Sequence, residues 1–227
     1  MSFTKNTLEQ IQISINAIQK KTVDDNDLTV ILDSLNAILE ISERFNKNDN
    51  ELEFYWNEII TDSISIIDSA ISGHYRLAIA GLRNMLELAC HAFYFYDHKI
   101  ELRIFINENT KLGNYVSTLV RDQDFFTTVY IKTFFKDIEL KQTKIDSVSS
   151  YLCLTYSKLC DVVHGRYASL TKINKLEITY SKDMFKKFES TYLYTLSAIS
   201  TMYVLRFNDF TDDEINKLVK ISNSIKN

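Results

Sequence analysis

Residues 74–97 read HYRLAIAGLRNMLELACHAFYFYD, and the fold turns on how that stretch is read. Leu77, Ala78, Ile79, Ala80, Leu82, Met85, Leu86, Leu88, Ala89, Phe93 and Phe95 leave almost no polar face at 3.6 residues per turn. A helix that is apolar all round belongs in the middle of a bundle. Between Arg76 and Asp97 near its ends, the segment holds two opposite charges, Arg83 and Glu87, four residues apart and so on one face. Charge is expensive to bury unless it is paired or used, which marks both residues for attention.

The flanking segments carry helical patterns too. Leu8, Ile11, Ile15 and Ile18 place a first helix at 4–20. Asp24 to Asn26 can cap a second, whose stripe runs Leu28, Ile31, Leu32, Leu35, Ile38, Leu39 and Ile41, making an N-terminal helical pair at 4–47. The Asn-rich stretch from Phe45 to Asn50 reads as a loop. Glu51 to Ile71 forms a third helix, which Ser72-Gly73 ends or kinks. Residues 99–140 suggest shorter helices broken near Asn107 to Asn114, with a β-prone patch at Phe125 to Phe135. A long helix is expected from Lys141 to His164, with Gly165 as its stop. A short extended piece is expected near 176–180, followed by a buried helix from Asp183 to Phe207. Thr211 with Glu214 forms a capping-box pattern opening a last helix at 211–223.

Composition agrees with this pattern. Among 227 residues there are 4 Gly and 0 Pro, too few for the turns of an all-β fold. The length suits one core, so the expectation is a single all-α domain over 1–227, a multi-helix bundle around a central apolar helix. The net charge of −4 provides no global field for nucleic acid. Three cysteines, Cys90, Cys153 and Cys160, read as reduced thiols rather than a disulfide framework. Met1 to Asn6 has no apolar run, so no signal peptide is expected. The stretch Tyr192 to Leu205 is interrupted by Thr195, Ser197, Ser200 and Thr201 and is too short for a span, so no membrane partner is expected and the cytoplasm is the expected compartment.

The second informative segment is YSKLCDVVHGR, residues 156–166. A charged histidine at a helix end gains from the negative end of the dipole, so His164 can act as general acid or base. It can equally cap carbonyls. Asp161 one turn back could orient the ring, while Lys158 and Arg166 add positive charge and Tyr156 lies two turns back on a similar face. Arg83 and Glu87 admit two readings as well: an ion pair locking helix packing, or a guanidinium offered to phosphate or carboxylate. Cys160 and His164 have a spacing that could bind metal, but no second ligand pair accompanies them, and a Cys–His dyad is weaker still. There is no P-loop and no GxGxxG. Lysines interleave with aromatics at Lys132 to Lys144 and Lys172 to Lys187, a pattern that suits either RNA contact or a solvated helix face.

Together the two segments resemble bacterial HEPN-like proteins over roughly residues 50–207. Tyr75, Arg76 and Ala78 lead into Arg83-x-x-x-Glu87, and Tyr156-x-x-Leu159-x-x-x-Val163-His164-Gly165 is similar to the helix-end histidine segment of that group. The resemblance implies an all-α domain, often a homodimer, from abortive-infection, toxin–antitoxin or CRISPR-linked systems, with a partner protein from the same operon. Active members are endoribonucleases that use no metal or cofactor. An Arg and a His on one helix promote attack of the ribose 2′-hydroxyl on the neighbouring phosphate. Here that implies His164 for proton transfer, and Arg83 or Lys158 at the phosphate with Glu87 beside it. Tyr156, Asp161 and Arg166 would line the substrate. This chain departs from the pattern: Lys158, Leu159 and Cys160 stand where the active-site Arg would fall. The alternative is a catalytically silent antitoxin, immunity or regulatory module in which Arg83, Glu87 and His164 form a structural network.

Overall fold

The computed structural model describes residues 4–48, 50–108, 115–141, 147–164 and 178–225. Helix α1 spans Lys5–Asp25, α2 Thr29–Asn48, α3 Glu53–Ile71 (after a 3-10 turn at Asn50–Leu52) and α4 Tyr75–Asp97. Helices α5 (Lys99–Glu108), α6 (Val116–Asp122) and α7 (Thr128–Phe134) are short; α8 (Val148–Val163), α9 (Lys182–Phe207) and α10 (Asp213–Ser222) complete the order. Of the described residues 82% are helical, and an isolated bridge, Leu140 to Ile225, stands in place of any strand. The protein is an all-α bundle.

Helix α4 is the hub, packed by α3, α8 and α9. Its residues Leu82, Met85, Leu86, Ala89, Cys90, Ala92 and Phe93 are fully buried. Helix α9 is the second axis: every residue from Thr195 to Leu205 is buried. Its hydroxyls tolerate this by donating to backbone carbonyls one turn back, Thr195 to Thr191 at 2.9 Å and Thr201 to Ser197 at 2.7 Å.

The α3–α4 corner depends on two glycines. Gly73 takes φ +82°, and His74 N–H donates to Ser69 O at 2.8 Å while Gly73 N–H donates to Ala70 O at 3.1 Å. This is a Schellman end, open to glycine because the left-handed conformation carries no Cβ penalty. Gly81 lies where α4 crosses α3. A Cβ there would stand 2.6 Å from Cγ1 of buried Ile66.

Several boundaries differ from the sequence reading. Helix α1 runs on to Asp25, and Asp27 rather than residues 24–26 accepts the first free N–H of α2, from Thr29 at 2.9 Å. Helix α1 leans on α3 while α2 packs on α9 and α10. The expected loop from Phe45 is helical to Asn48, because Phe45 continues the α2 stripe into a cluster with Trp56, Phe93, Tyr96 and Phe207. The β-prone patch at 125–135 is a turn and α7. Thr127 caps α7 by accepting the Tyr130 N–H, and Phe125 and Phe126 face the core rather than a neighbouring strand. Ser147 caps α8, so that helix begins at Val148 rather than Lys141. Residues 178–180 have no regular structure, and 176–177 lie outside the described residues. Asp212, not Thr211, caps α10 by accepting the Ile215 N–H at 2.9 Å.

Gly81→Ala should lower stability. The helix gains up to about 1 kcal/mol of propensity, but the added methyl overpacks Ile66 at a cost of about 1–3 kcal/mol. A fall in melting temperature of roughly 2–8 °C is expected by calorimetry; a rise would show that the α3–α4 contact is loose.

Candidate functional site

Packing α8 against α4 places Tyr156 and Cys160, one turn apart on α8, over Arg83 and Glu87 on α4. Arg83 Nη1 pairs with Glu87 Oε2 at 2.9 Å. Its Nη2 donates to Glu87 Oε1 at 3.0 Å and to the Tyr156 hydroxyl at 2.8 Å. Its Nε–H donates to Cys160 Sγ at 3.3 Å. These bonds take up four of the five guanidinium N–H donors. Tyr156 in turn donates to Glu87 Oε1 at 2.5 Å, and Arg83 lies over its ring at 5.3 Å. The Arg83 and Glu87 side chains are 20% and 16% exposed, so the network is largely withdrawn from water.

The electrostatics follow from this closure. Burial pushes the Tyr156 phenol up, and the hydrogen bond to Glu87 and that carboxylate's charge push it further. Burial works against the Arg83 charge, but Cys160 and Glu87 more than offset it and the guanidinium is held more firmly charged. The Cys90 thiol is driven well above its ordinary value by burial, then by the Glu87 charge and Cys153. Burial raises Cys153 as well. Neither thiol is set up as a nucleophile.

The other expected site residues lie apart from this network. His164 is the C-cap of α8, its backbone N–H bonded to Cys160 O at 2.9 Å and its side chain exposed. It continues the Tyr156–Cys160 stripe, one turn beyond Cys160, about 6 Å along the axis. Lys158 is exposed, and two residues from both Tyr156 and Cys160 it faces away from them. Asp161 is half-buried one turn before His164. Arg166 and Gly165 lie outside the described residues. In the Lys172 to Lys187 stretch Phe185 offers no stacking surface, because it is fully buried in the core. Among the described residues, no group of three or more His, Cys, Asp or Glu side chains is placed to hold a metal, and no helix is long and apolar enough to cross a membrane.

Sequence reasoning missed Cys160 as an acceptor for Arg83, since a thiol on a packing face gives no sign of a polar partner. It also missed a second charge cluster. Arg206 Nη2 meets Asp97 Oδ1 at 2.6 Å, the Tyr130 hydroxyl donates to Asp97 Oδ2 at 2.6 Å, and Arg206 covers the Phe134 ring at 3.8 Å. The signal was present: an arginine directly after a long buried stretch of helix needs a counter-charge.

No family model, no curated protein and no solved structure matches this chain.

Tyr156→Phe should cost about 1–3 kcal/mol, because it strips a donor from a withdrawn carboxylate. Combined with Glu87→Gln it should be non-additive by about 0.5–3 kcal/mol in denaturant titrations. His164→Ala should stay within about 0.5 kcal/mol of the parent, as surface changes do. The Tyr156 shift has a sign in pH as well. Its raised folded value means that stabilisation is complete below about pH 10 and fades as pH rises through the folded value. Tyr156→Phe should therefore lose less stability than the parent between about pH 10 and 12. Parallel alkaline losses would place the phenol outside the network.

Proposed function

We propose that this chain is a HEPN-like helical binding module of a bacterial defence or toxin–antitoxin system, catalytically silent toward RNA. The observation that carries the reading is the commitment of the Arg83 guanidinium. A phosphate-binding arginine keeps its fork free for bidentate contact, whereas this one is shared among Glu87, Tyr156 and Cys160. Such a closed network serves helix register, the best-attested use of buried polar groups. On this reading the module works in the cytoplasm with a second copy of itself or with a protein from the same operon. No cofactor enters the reading.

A second reading, metal-independent RNA cleavage, is favoured by one feature. His164 presents an exposed imidazole at the end of the stripe that carries Tyr156 and Cys160. Proton transfer to or from a ribose hydroxyl needs an accessible group of this kind.

Incubating the purified protein with total cellular RNA in EDTA separates the two. The binding-module reading expects intact tRNA and mRNA, with His164→Ala indistinguishable from the parent in melting temperature. EDTA-resistant cleavage that disappears in His164→Ala would overturn it and establish the second reading.

A further inference from the structure

Away from the Arg83 network, one face of α10 looks across a cavity of about 690 Å³ onto the segment after α7. Asp213, Asn216, Lys220 and Asn223, the last being the helix's C-cap, recur at three- and four-residue spacing and so share that face. Phe135 and Phe210 supply an aromatic wall, their ring centroids 6.1 Å apart at an interplanar angle of 63°, and buried Ile138 and Val219 add an aliphatic surface. Ligand cavities of small molecules fall at about 300–1,000 Å³ and combine apolar walls with a few polar groups that fix orientation.

Charge does not select the ligand here. Asp137, Glu139, Asp213 and Lys220 are exposed at the rim, where Lys217 acts on Asp213 and Glu139 already has a partner. Exposed groups of both signs hold an ionic head group weakly. The two carboxamides are more selective. Asn216 donates from Nδ2 to Phe210 O at 2.7 Å, and its Oδ1 is an unused acceptor among the described residues. Asn223 accepts the Lys141 ammonium with Oδ1, and its Nδ2 is an unused donor among the described residues. Seven residues separate them, two turns on one face and about 10 Å along the axis. Two hydrogen bonds of about 2.9 Å leave about 5 Å between the ligand's own donor and acceptor. That is the span of a bicyclic aromatic ring carrying an N–H at one end and a carbonyl at the other. We propose that this cavity binds a neutral bicyclic heteroaromatic ligand, its ring against Phe135 and Phe210, its ring N–H donating to Asn216 Oδ1 and its carbonyl accepting from Asn223 Nδ2. No residue of the cavity belongs to the Arg83 network, so this proposal stands or falls independently of the function proposed above.

The test titrates the full chain with indole-3-acetamide, which has both groups at this spacing. Saturable binding is expected by calorimetry or chemical-shift perturbation. 1-Methylindole-3-acetamide lacks the ring N–H and 3-methylindole lacks the carbonyl, so each should bind about three- to tenfold more weakly, the worth of one hydrogen bond. Tryptamine and indole-3-acetate keep the ring but must desolvate an ionised head that the mixed rim does not repay, and each should be weaker by about threefold or more. Asn223→Gly removes Nδ2 and still suits the left-handed backbone at that position, where φ is 52°. It should weaken indole-3-acetamide by about three- to tenfold and leave 3-methylindole unchanged. Phe210→Ala should weaken every one of these ligands. Binding of either charged analogue equal to the amide would overturn the proposal, as would amide affinity indifferent to Asn223→Gly and Phe210→Ala. So would the absence of saturable binding.

Discussion

A helix packed on most of its circumference must neutralise the charges it withdraws from water, and much of this molecule is arranged around that requirement. Helix α4 is packed by α3, α8 and α9, so Arg83 and Glu87 are largely withdrawn from bulk water. Their mutual i, i+4 contact satisfies part of their bonding capacity. The remainder has to come from a neighbouring helix, and α8 supplies it through Tyr156 and Cys160. The polar site is thus also a registration device. Sliding α8 by one turn would separate the phenol from Glu87 and leave a largely buried carboxylate short of a donor, at a cost comparable to a lost charged hydrogen bond.

The same logic recurs at the edges of the bundle. Arg206, which follows the buried Thr195–Leu205 stretch of α9, is held by Asp97 at the end of α4, and Tyr130 joins α7 to the pair. Arg44 on α2 reaches Glu40, Asp209 and Asp212, which fastens the α9–α10 turn to α2. Burial works against the Asp209 charge, but Thr211, Tyr203 and Arg44 overcome it and hold the carboxyl well below the usual range. Each cluster joins elements that are distant in sequence. Apolar packing is non-directional and tolerates sliding, whereas these bonded charges do not.

Functionally, the closure of the Arg83 network separates two roles that the sequence places side by side. Arginine and histidine of a metal-independent nuclease must converge on one phosphate. Here the guanidinium is turned inward, toward α8, while the imidazole stands in solvent at the helix end. Arg83 reaches Tyr156 and Cys160 from α4, while His164 lies one turn beyond them at the end of α8. Lys158, two residues along α8 from both Tyr156 and Cys160, faces away from them.

Helical class, the centrality of residues 75–97 and the burial of most of the Tyr192–Leu205 stretch, from Thr195 on, were legible in the sequence, because a 3.6-residue apolar period and a shortage of Gly and Pro act locally. Arg83 and Glu87 were legible as a pair for the same reason, and Tyr156 as a neighbour of the site. What no local pattern encodes is the partner across the bundle. The Cys160 thiol bonded to Arg83, the Asp97–Arg206 pair, the helical continuation through Phe45 and the clash that reserves position 81 for glycine arise from contacts between separate helices. Periodicity determines which face of a helix is buried. Only tertiary packing determines what that face meets, and so whether a buried charge is spent on structure or left free for chemistry.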